Sequence, residues 1–269
     1  MKIIIVCQTM TYLSGSPLYN YTLAKELAKE NDVSLLSSWA NNKLKSDLEE
    51  IGVKCITEAN EEYDLAIVSQ RNFPVPKAKR VINIVHSEYD CETPITEGID
   101  HWVAIRPSIK EHLIKEHGLK DKDITVIYNG VDLERFKPIN KSKRNFIKVV
   151  IPATIDPLRQ RMFNYYTSRA SKDFRIFIIG KDFGAYIPNN EFIIIKGETD
   201  EIEKEIADAD IVAGILLGRV NLEARACDVI SYIHNPENPE EYEVFYPHRW
   251  DFEERHDIKN VANKILSIC

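Results

Sequence analysis

The sequence lacks any apolar run that approaches the roughly 18 residues of a membrane-spanning helix. Its short apolar start, followed at once by Gln8 and Thr9, does not predict a signal peptide. The five cysteines are odd in number and far apart, and no Cys-x-x-Cys or Cys/His spacing is present. Neither a disulfide framework nor a zinc site is therefore predicted. Reduced thiols are typical of the cytoplasm, which is the expected location.

A surplus of positive charge is also absent. The 269 residues include 35 Lys and Arg against 42 Asp and Glu, a formal net charge of −7. Nucleic-acid binding depends on many cations that neutralise phosphates, so we expect no nucleic-acid partner. A local basic patch for a diphosphate or an anionic lipid stays open. The apolar share of 44% excludes a disordered or fibrous chain, and the length predicts two domains of about 135 residues each.

What the sequence does contain is a regular alternation of short apolar runs and helical patterns. Runs that are apolar on both faces predict strands covered by helices on both sides, and hence an α/β fold with mainly parallel sheets. The predicted strands are Lys2–Cys7, Asp32–Leu36, Leu65–Ser69, Arg80–Val85, Trp102–Ile105, Thr125–Ile127, Lys148–Ile151, Arg175–Ile179, Phe192–Ile195, Ile211–Ile215 and Val229–Tyr232. The predicted helices are Pro17–Glu30 with Ser16 as N-cap, Ser108–Glu116, Ile202–Ala207, Asn221–Cys227 and Asp257–Ile268.

The polar segment Lys137–Lys143 interrupts this pattern and is predicted to link two domains. We expect one Rossmann-like domain in residues 1–140 and a second in residues 146–256. An amphipathic helix is expected in residues 257–269.

The most specific stretch is Val126–Pro138, with the sequence VIYNGVDLERFKP. Asn129 and Gly130 after a strand predict a turn, because glycine can take a positive φ. The whole stretch resembles the V-I-x-N-G-V-D-x-x-x-F-x-P signature of family 4 glycosyltransferases, which lies at the end of their first domain. The resemblance implies the GT-B fold, in which two Rossmann-like domains face each other across a cleft, and a final helix that packs back on the first domain.

In this family the loop after the first strand approaches the donor phosphates and the acceptor. Here that loop is Tyr12–Pro17, with Gly15 and Ser16 at the matching places and one glycine where the family has a pair. Amides at a helix N-terminus favour an anion, so a phosphate role is one interpretation and an ordinary capped turn is the other. His86 closes a predicted strand, where the family often has a histidine that binds the donor sugar; a structural histidine is the alternative.

A second match opens the second domain. Ala153–Arg159 resembles the turn G-R-L-x-P-x-K-G, in which the family's Arg and Lys hold the donor diphosphate. Arg159 stands at the Lys position, Thr154 replaces the Arg, and Arg161 lies two residues beyond Arg159. We expect these residues to bind the donor, since a guanidinium can donate parallel hydrogen bonds to phosphate. A solvated helix start is the alternative.

A third match, Gly218–Cys227, resembles the family's E-G-F-G-x-x-x-L-E-A-x-A-C-G segment. Glu223 holds the second glutamate position, which the family places on the ribose; a surface carboxylate is the alternative. Ile215 stands where the first glutamate is expected, which puts sugar selectivity and turnover in question. Gly197, within Ile194–Glu198, matches the turn that frames the base in the family, or simply ends a strand.

Asp208 and Asp210 form the D-x-D pattern that many metal-dependent glycosyltransferases use for a divalent cation. The pattern ends a predicted helix directly before a strand, so we expect a structural role. No metal and no other cofactor are predicted.

The resemblance implies a retaining glycosyltransferase of the hexosyltransferase type that moves a sugar from a nucleoside diphosphate sugar to an acceptor hydroxyl without a metal. The expected catalytic residues are His86 and Arg159. The expected donor-binding residues are Gly15, Ser16, Thr154, Arg159, Arg161, Gly197 and Glu223. The alternatives are a degenerate protein that binds a nucleotide or sugar without transfer, and a sugar-nucleotide epimerase. The base, the sugar, the acceptor and any contact with the inner membrane face stay open.

Overall fold

A computed structural model of the protein describes residues 1–10, 15–69, 75–88, 97–215, 218–245 and 252–268. The chain divides into two compact units, Met1–Gly130 with Glu253–Cys269, and Val131–Phe252. The first three residues of the predicted functional loop Tyr12–Pro17 lie outside the described residues.

The first unit is built on a parallel sheet. Its strands are β1 (Lys2–Val6), β2 (Thr9–Met10), β3 (Asp32–Leu36), β4 (Trp39–Ala40), β5 (Lys54–Ile56), β6 (Tyr63–Val68), β7 (Ala78–Val85), β8 (His101–Ala104) and β9 (Ile124–Val126). Seven of them form one sheet in the order β5-β3-β1-β6-β7-β8-β9, with every neighbouring pair parallel, while β2 pairs with β4. The helices that precede the second unit are α1 (Gly15–Leu27), α2 (Asn42–Glu50) and α3 (Pro107–His117).

The second unit repeats the same architecture. Its strands are β10 (Ile147–Pro152), β11 (Phe174–Ile179), β12 (Ile193–Ile195), β13 (Ile211–Ile215), β14 (Ile230–His234) and β15 (Tyr242–Phe245). They form a sheet in the order β12-β11-β10-β13-β14-β15, parallel except for the β14–β15 pair. Its helices are α4 (Gln160–Thr167), α5 (Ile202–Ala207) and α6 (Arg219–Ala226).

The central strands are buried on both faces. In β1 the consecutive residues Ile3, Ile4 and Ile5 are fully buried, although their side chains point alternately to opposite faces. In β10 the same holds for Val149, Val150 and Ile151. Such strands need cover on both sides, which explains why apolar runs rather than alternating patterns mark them in the sequence.

The chain ends in the helices α7 (Phe252–His256) and α8 (Ile258–Ser267). Asp257 caps α8 by accepting a hydrogen bond from the Lys259 amide at 3.0 Å. The apolar face of α8, with Val261 and Ile265 fully buried, belongs to the core of the first unit.

The boundary between the two units lies between Gly130 and Val131, upstream of the polar segment Lys137–Lys143 that the sequence suggested as linker. The reason is packing, because Val131 and Phe136 are buried in the core of the second unit.

A strand or helix occurs at each predicted position, so the predicted α/β alternation is confirmed. Helix α1 begins at Gly15, one residue before the expected N-cap Ser16, which therefore lies within the first turn. The short helices α2 and α4 and the antiparallel edge strand β15 were not predicted. Among the helices within the described ranges, none combines the length and apolar character of a membrane-spanning segment.

Candidate active site

Polar side chains gather at the carboxyl edge of the first unit's sheet. His86 directly follows β7, Ser69 follows β6, and Arg106 lies two residues beyond β8. Parallel strands bring all these ends to one edge, which is where ligands bind in open α/β sheets.

His86 packs against Tyr19 of α1. The two ring centroids are 5.0 Å apart in an edge-to-face arrangement at 71°. His86 Nε2 and the Tyr19 hydroxyl are both buried, and neither has a hydrogen-bond partner among the residues that the structure describes. Burial, and secondly the positive charge of Arg106, lowers the pKa of His86 to about 4. The imidazole is therefore neutral at pH 7.

An ion pair that the sequence did not suggest lies beside His86. Arg106 donates from Nε to Glu88 Oε1 at 3.0 Å and from Nη2 to Glu88 Oε2, and Ser108 Oγ donates to Glu88 Oε1 at 2.7 Å. Partial burial raises the pKa of Glu88, but the hydrogen bonds from Arg106 and Ser108 outweigh it and hold the pKa below its usual value. The only signal in the sequence was position, since Arg106 directly follows one predicted strand and Glu88 lies three residues beyond another.

Gly15 and Ser16 form the first residues of α1. Gly15 is exposed, and a Cβ added there would meet no atom of the described residues within 4 Å. The phosphate role of both residues stays a prediction.

The turn after β10 in the second unit brings two of the predicted donor-binding residues together. Arg159 Nη1 donates to Thr154 Oγ1 at 2.8 Å and forms an ion pair with Asp156 Oδ2. Asp156 also caps the following 3-10 turn by accepting from the Arg159 amide at 3.2 Å. Its proline neighbour, Pro157, lies in the first turn, where its missing N–H costs nothing. Asp156 and Pro157 therefore have a structural role, because they form the turn in which Asp156 holds the Arg159 guanidinium.

Gly180, which follows β11, makes this turn possible. A Cβ added there would lie 2.0 Å from the Ala153 carbonyl oxygen and 2.7 Å from its carbon. Only glycine allows the two chain segments to come this close. The sequence shows a glycine after a predicted strand, but no local pattern indicates that it lies against Ala153.

Arg161 makes a different contact from the one expected. Its side chain is 59% exposed and pairs with Glu237, in the loop after β14, at 3.1 Å between Nη1 and Oε2. Nη1 also donates to the Glu237 backbone carbonyl. An ion pair as exposed as this one is weak and leaves the arginine available, so the donor-phosphate role of Arg161 stays a prediction.

Gly197 follows β12 with φ of +66°, a conformation that favours glycine. A Cβ there would meet no atom within 4 Å, so conformation rather than packing requires the glycine. The adjoining backbone is held by the Lys196 amide, which donates to the Ile178 carbonyl at 2.9 Å. The role of Gly197 beside the base of the donor stays a prediction.

Glu223 is buried within α6 rather than on the surface. Arg219, one turn earlier, donates from Nε to Glu223 Oε1 at 2.5 Å, and both side chains are less than 10% exposed. A carboxylate can accept several hydrogen bonds, so this pair leaves capacity for a ribose hydroxyl. Ile215 ends β13 and packs as an apolar residue at the margin of the core.

The D-x-D residues Asp208 and Asp210 hold the segment before β10. Arg144 donates to Asp208 Oδ1 at 3.1 Å and lies 2.9 Å from Asp210 Oδ2, while the buried Lys148 lies 2.9 Å from Asp208 Oδ2. Burial raises the pKa of Asp208, but hydrogen bonds from the Ser142 amide and Lys148 hold it well below its usual value. Both carboxylates serve as structural ion-pair partners. Within the described residues, no group of three or more His, Cys, Asp or Glu side chains could hold a metal ion.

The Val126–Pro138 signature also has a structural basis. A Cβ on Gly130 would lie 2.6 Å from Ile258 Cδ1 and 3.0 Å from its Cα, so α8 packs directly on this glycine. His256 Nδ1 donates to the Asn129 carbonyl at 2.9 Å. In the second unit, Asp132 Oδ1 accepts from two following amides, at 3.0 and 3.1 Å. The turn so formed carries the buried Phe136 of the signature into the core.

His234, which no motif marked, ends β14 within a group of tyrosines. Tyr166 and the Pro239 carbonyl are its two partners, at 2.8 Å from Nε2 and 2.6 Å from Nδ1. A carbonyl only accepts, so Nδ1 carries the proton and Nε2 accepts from the Tyr166 hydroxyl. Burial lowers the pKa of His234. With both nitrogens satisfied, this histidine is structural.

Comparisons with known proteins agree on the class. Residues 79–135 match the sequence model of Glycosyltransferase Family 4. HepE of Anabaena, solved in complex with UDP and glucose, has a TM-score of 0.70 at 13% identity, over 100% of this chain and 99% of that chain. A glycosyltransferase from Rickettsia africae has a TM-score of 0.64 at 15% identity, over 99% and 88% of the two chains. AviGT4, a glycosyltransferase involved in avilamycin A biosynthesis, has a TM-score of 0.67 at 11% identity, over 99% and 96%. No curated protein matches the sequence.

The two mainly parallel sheets and the likeness over the whole chain define the fold as GT-B, an α/β fold with two Rossmann-like domains. Within that class the protein is similar to family 4 glycosyltransferases, as the Val126–Pro138 signature predicted, and the matched segment includes most of that signature.

Proposed function

We propose that the protein is a retaining glycosyltransferase that moves a sugar from a nucleoside diphosphate sugar to an acceptor hydroxyl without a metal. The observation that carries the proposal is the turn in which Thr154 and Asp156 hold the Arg159 guanidinium at the carboxyl edge of the second sheet. The shared fold and the family match support the same class of reaction. Because HepE was solved with UDP and with UDP-glucose, a uridine nucleotide is the first donor to test.

Arg159 would stabilise the negative charge that develops on the departing diphosphate. Among the described residues, its side-chain contacts to Thr154 and Asp156 use Nη1, which leaves Nε and Nη2 for phosphate oxygens. A guanidinium fixed in place before the donor arrives needs no reorganisation during the reaction, which is the main source of such stabilisation. We propose that its guanidinium takes the place of a metal ion, and the ion pairs of Arg144 with Asp208 and Asp210 support a structural role for the D-x-D motif.

The remaining residues would complete the donor site. We assign Glu223 to the ribose and Gly197 to the base. His86, neutral at pH 7, would hydrogen-bond the donor sugar rather than a phosphate, because it carries no charge for an anion. Further donor contacts are proposed for Gly15, Ser16, Thr154 and Arg161.

A degenerate protein that binds without transfer is the second candidate. Ile215 favours it, since an apolar side chain at the margin of the core replaces the family's first glutamate. An Ile215→Glu variant separates the two candidates. A gain of transfer would favour the degenerate protein, whereas unchanged or lower activity would show that the carboxylate is not required.

The acceptor would be a glycan, a lipid-linked sugar or a small molecule, and we place the protein in the cytoplasm because its thiols suit a reducing compartment. Contact with the inner membrane face is proposed only for a lipid-linked acceptor. In the described residues Cys7, Cys55 and Cys227 are free thiols.

The test is thermal unfolding with UDP, GDP, ADP, TDP and their sugars, with and without EDTA. A ligand at 100 times its dissociation constant stabilises by about 2.7 kcal/mol, which raises the midpoint by roughly 5–10 °C. We expect one nucleotide to give such a shift regardless of EDTA. Arg159→Ala should weaken its binding about 10- to 100-fold, because a hydrogen bond to a charged group contributes about 1.5–3 kcal/mol.

Lys172→Ala is the matched control, since this exposed cation precedes β11 at the opposite edge of the same sheet. An equal loss of nucleotide affinity in both variants would mean that net charge, and not the position of Arg159, causes the effect. If no nucleotide shifts the wild-type protein, the transferase proposal fails. If EDTA abolishes the shift, metal independence fails. Once an acceptor is known, the anomeric configuration of the product tests retention.

A further inference from the structure

Tyr19 of α1 has a buried hydroxyl without a partner among the described residues. The residue is 1% exposed, and its position on α1 places the ring edge-to-face with His86, 5.0 Å between centroids. His86 Nε2 is the second buried atom that lacks a described partner at this place. Buried polar groups are normally hydrogen-bonded, so two in ring contact point to a ligand that completes them.

A comparison within the same helix sharpens the point. Tyr21, two residues further along α1, is also buried, but its hydroxyl donates to Asp47 at 3.3 Å. A phenylalanine at position 19 would fill the same volume without an unsatisfied hydroxyl. Stability of the free protein therefore does not explain why position 19 carries a tyrosine, whereas a ligand contact does.

We propose that the Tyr19 hydroxyl and His86 Nε2 together form a subsite for a hydroxyl group of a neutral sugar. The proposal rests on the transferase function above and adds Tyr19 as a sugar-binding residue. The chemistry selects a hydroxyl over an anion, because Arg106, whose charge acts on His86, is already paired with Glu88. Burial raises the pKa of Tyr19 above its usual value, so the phenol stays protonated and can donate.

A sugar hydroxyl at this site could come from the donor or from the acceptor. Either hydroxyl would be recognised by the same two atoms, the Tyr19 hydroxyl and His86 Nε2, of which one donates a hydrogen bond and the other accepts one. The experiment therefore has two arms: binding of UDP-glucose compared with UDP, and binding of free glucose to the UDP-saturated protein.

The variant is Tyr19→Phe, with Tyr21→Phe as the matched control on the same helix. We expect Tyr19→Phe to unfold at the same temperature as the wild type or higher, since it removes a hydroxyl that is unsatisfied in the free protein. Tyr21→Phe should unfold at a lower temperature because it loses a hydrogen bond. In calorimetric titrations, Tyr19→Phe should bind UDP like the wild type but lose about 3- to 10-fold in sugar binding in one of the two arms.

Loss in the UDP-glucose arm identifies the donor sugar, and loss in the free-glucose arm identifies the acceptor side. Unchanged binding in both arms overturns the proposal, as does a loss of stability in Tyr19→Phe equal to that in Tyr21→Phe. If wild-type protein binds UDP but gains nothing from either sugar, the subsite is wrong while the proposed function survives. If the wild-type protein binds none of UDP, GDP, ADP, TDP and their sugars, both proposals fail.

Discussion

Gly180→Ala tests whether close backbone contact positions the Arg159 turn. The added Cβ would lie 2.0 Å from the Ala153 carbonyl oxygen, whereas an ordinary contact begins at 3.4 Å, so the two segments must separate by about 1.4 Å. Two backbone hydrogen bonds resist this movement, from the Ala153 amide to the Ile179 carbonyl at 3.0 Å and from the Ile155 amide to the Lys181 carbonyl at 2.8 Å. The atoms in collision are backbone atoms, so no side-chain rotation can relieve it.

Two consequences follow for Gly180→Ala. Overpacking of this kind costs about 1–3 kcal/mol, which should lower the unfolding midpoint by roughly 3–10 °C. Displacement of the turn should also misplace Arg159 and weaken nucleotide binding, since a hydrogen bond to a charged group contributes about 1.5–3 kcal/mol and depends on its geometry. Thermal unfolding and calorimetric titration with the nucleotide that stabilises the wild type measure the two effects.

The matched control is Gly184→Ala, in the same β11–β12 connection. Gly184 has φ of +93°, but a Cβ there would meet no atom within 4 Å, so this variant isolates backbone strain from collision. We expect it to lose some stability and to keep nucleotide affinity. If Gly180→Ala is as stable as Gly184→Ala and binds nucleotide like the wild type, the close approach does not position the turn.

Two further predictions concern pH and charge. Asp208→Asn should cost about 1.5–3 kcal/mol near pH 7, because the buried Lys148 loses a charged partner. The pKa of Asp208 in the folded protein is lowered from 3.8, so this contribution is present above about pH 4 and is lost as the pH falls further. Urea unfolding at pH 7 and below pH 3 should show the difference in unfolding free energy between variant and wild type becoming smaller. A constant difference would contradict the ion pair. His86 has a folded pKa of about 4 against 6.5 in the unfolded chain, so the unfolded state binds the proton first and stability should fall as the pH drops from about 6.5 to 4. His86→Asn should flatten that slope without removing it, because His234 is lowered in the same direction, and an unchanged slope would show that His86 is not held neutral.

The α/β class was predictable because its signal is local. A strand covered on both faces must be apolar at consecutive positions, as in Ile3–Ile5, and no distant contact is needed to recognise it. The Val126–Pro138 signature was readable only through its resemblance to a family, because just its aspartate acts within its own neighbourhood. The positive φ expected at Gly130 is not found. Gly130 instead packs on Ile258, and the Asn129 carbonyl accepts from His256, both of which lie far along the chain. The missed helix α2 shows the limit, because Leu44 and Leu48 are its only buried residues and two are too few for a periodic pattern.

The sequence by itself thus determined the order of strands and helices and the motif positions at strand ends. Only the tertiary structure decided what those residues touch. Arg161 pairs with Glu237 across 76 positions of sequence, and Glu223 lies in a buried ion pair rather than on the surface. Whether a charged side chain is paired depends on residues from distant segments that lie next to it only after folding. No local sequence pattern predicts which distant residues these are.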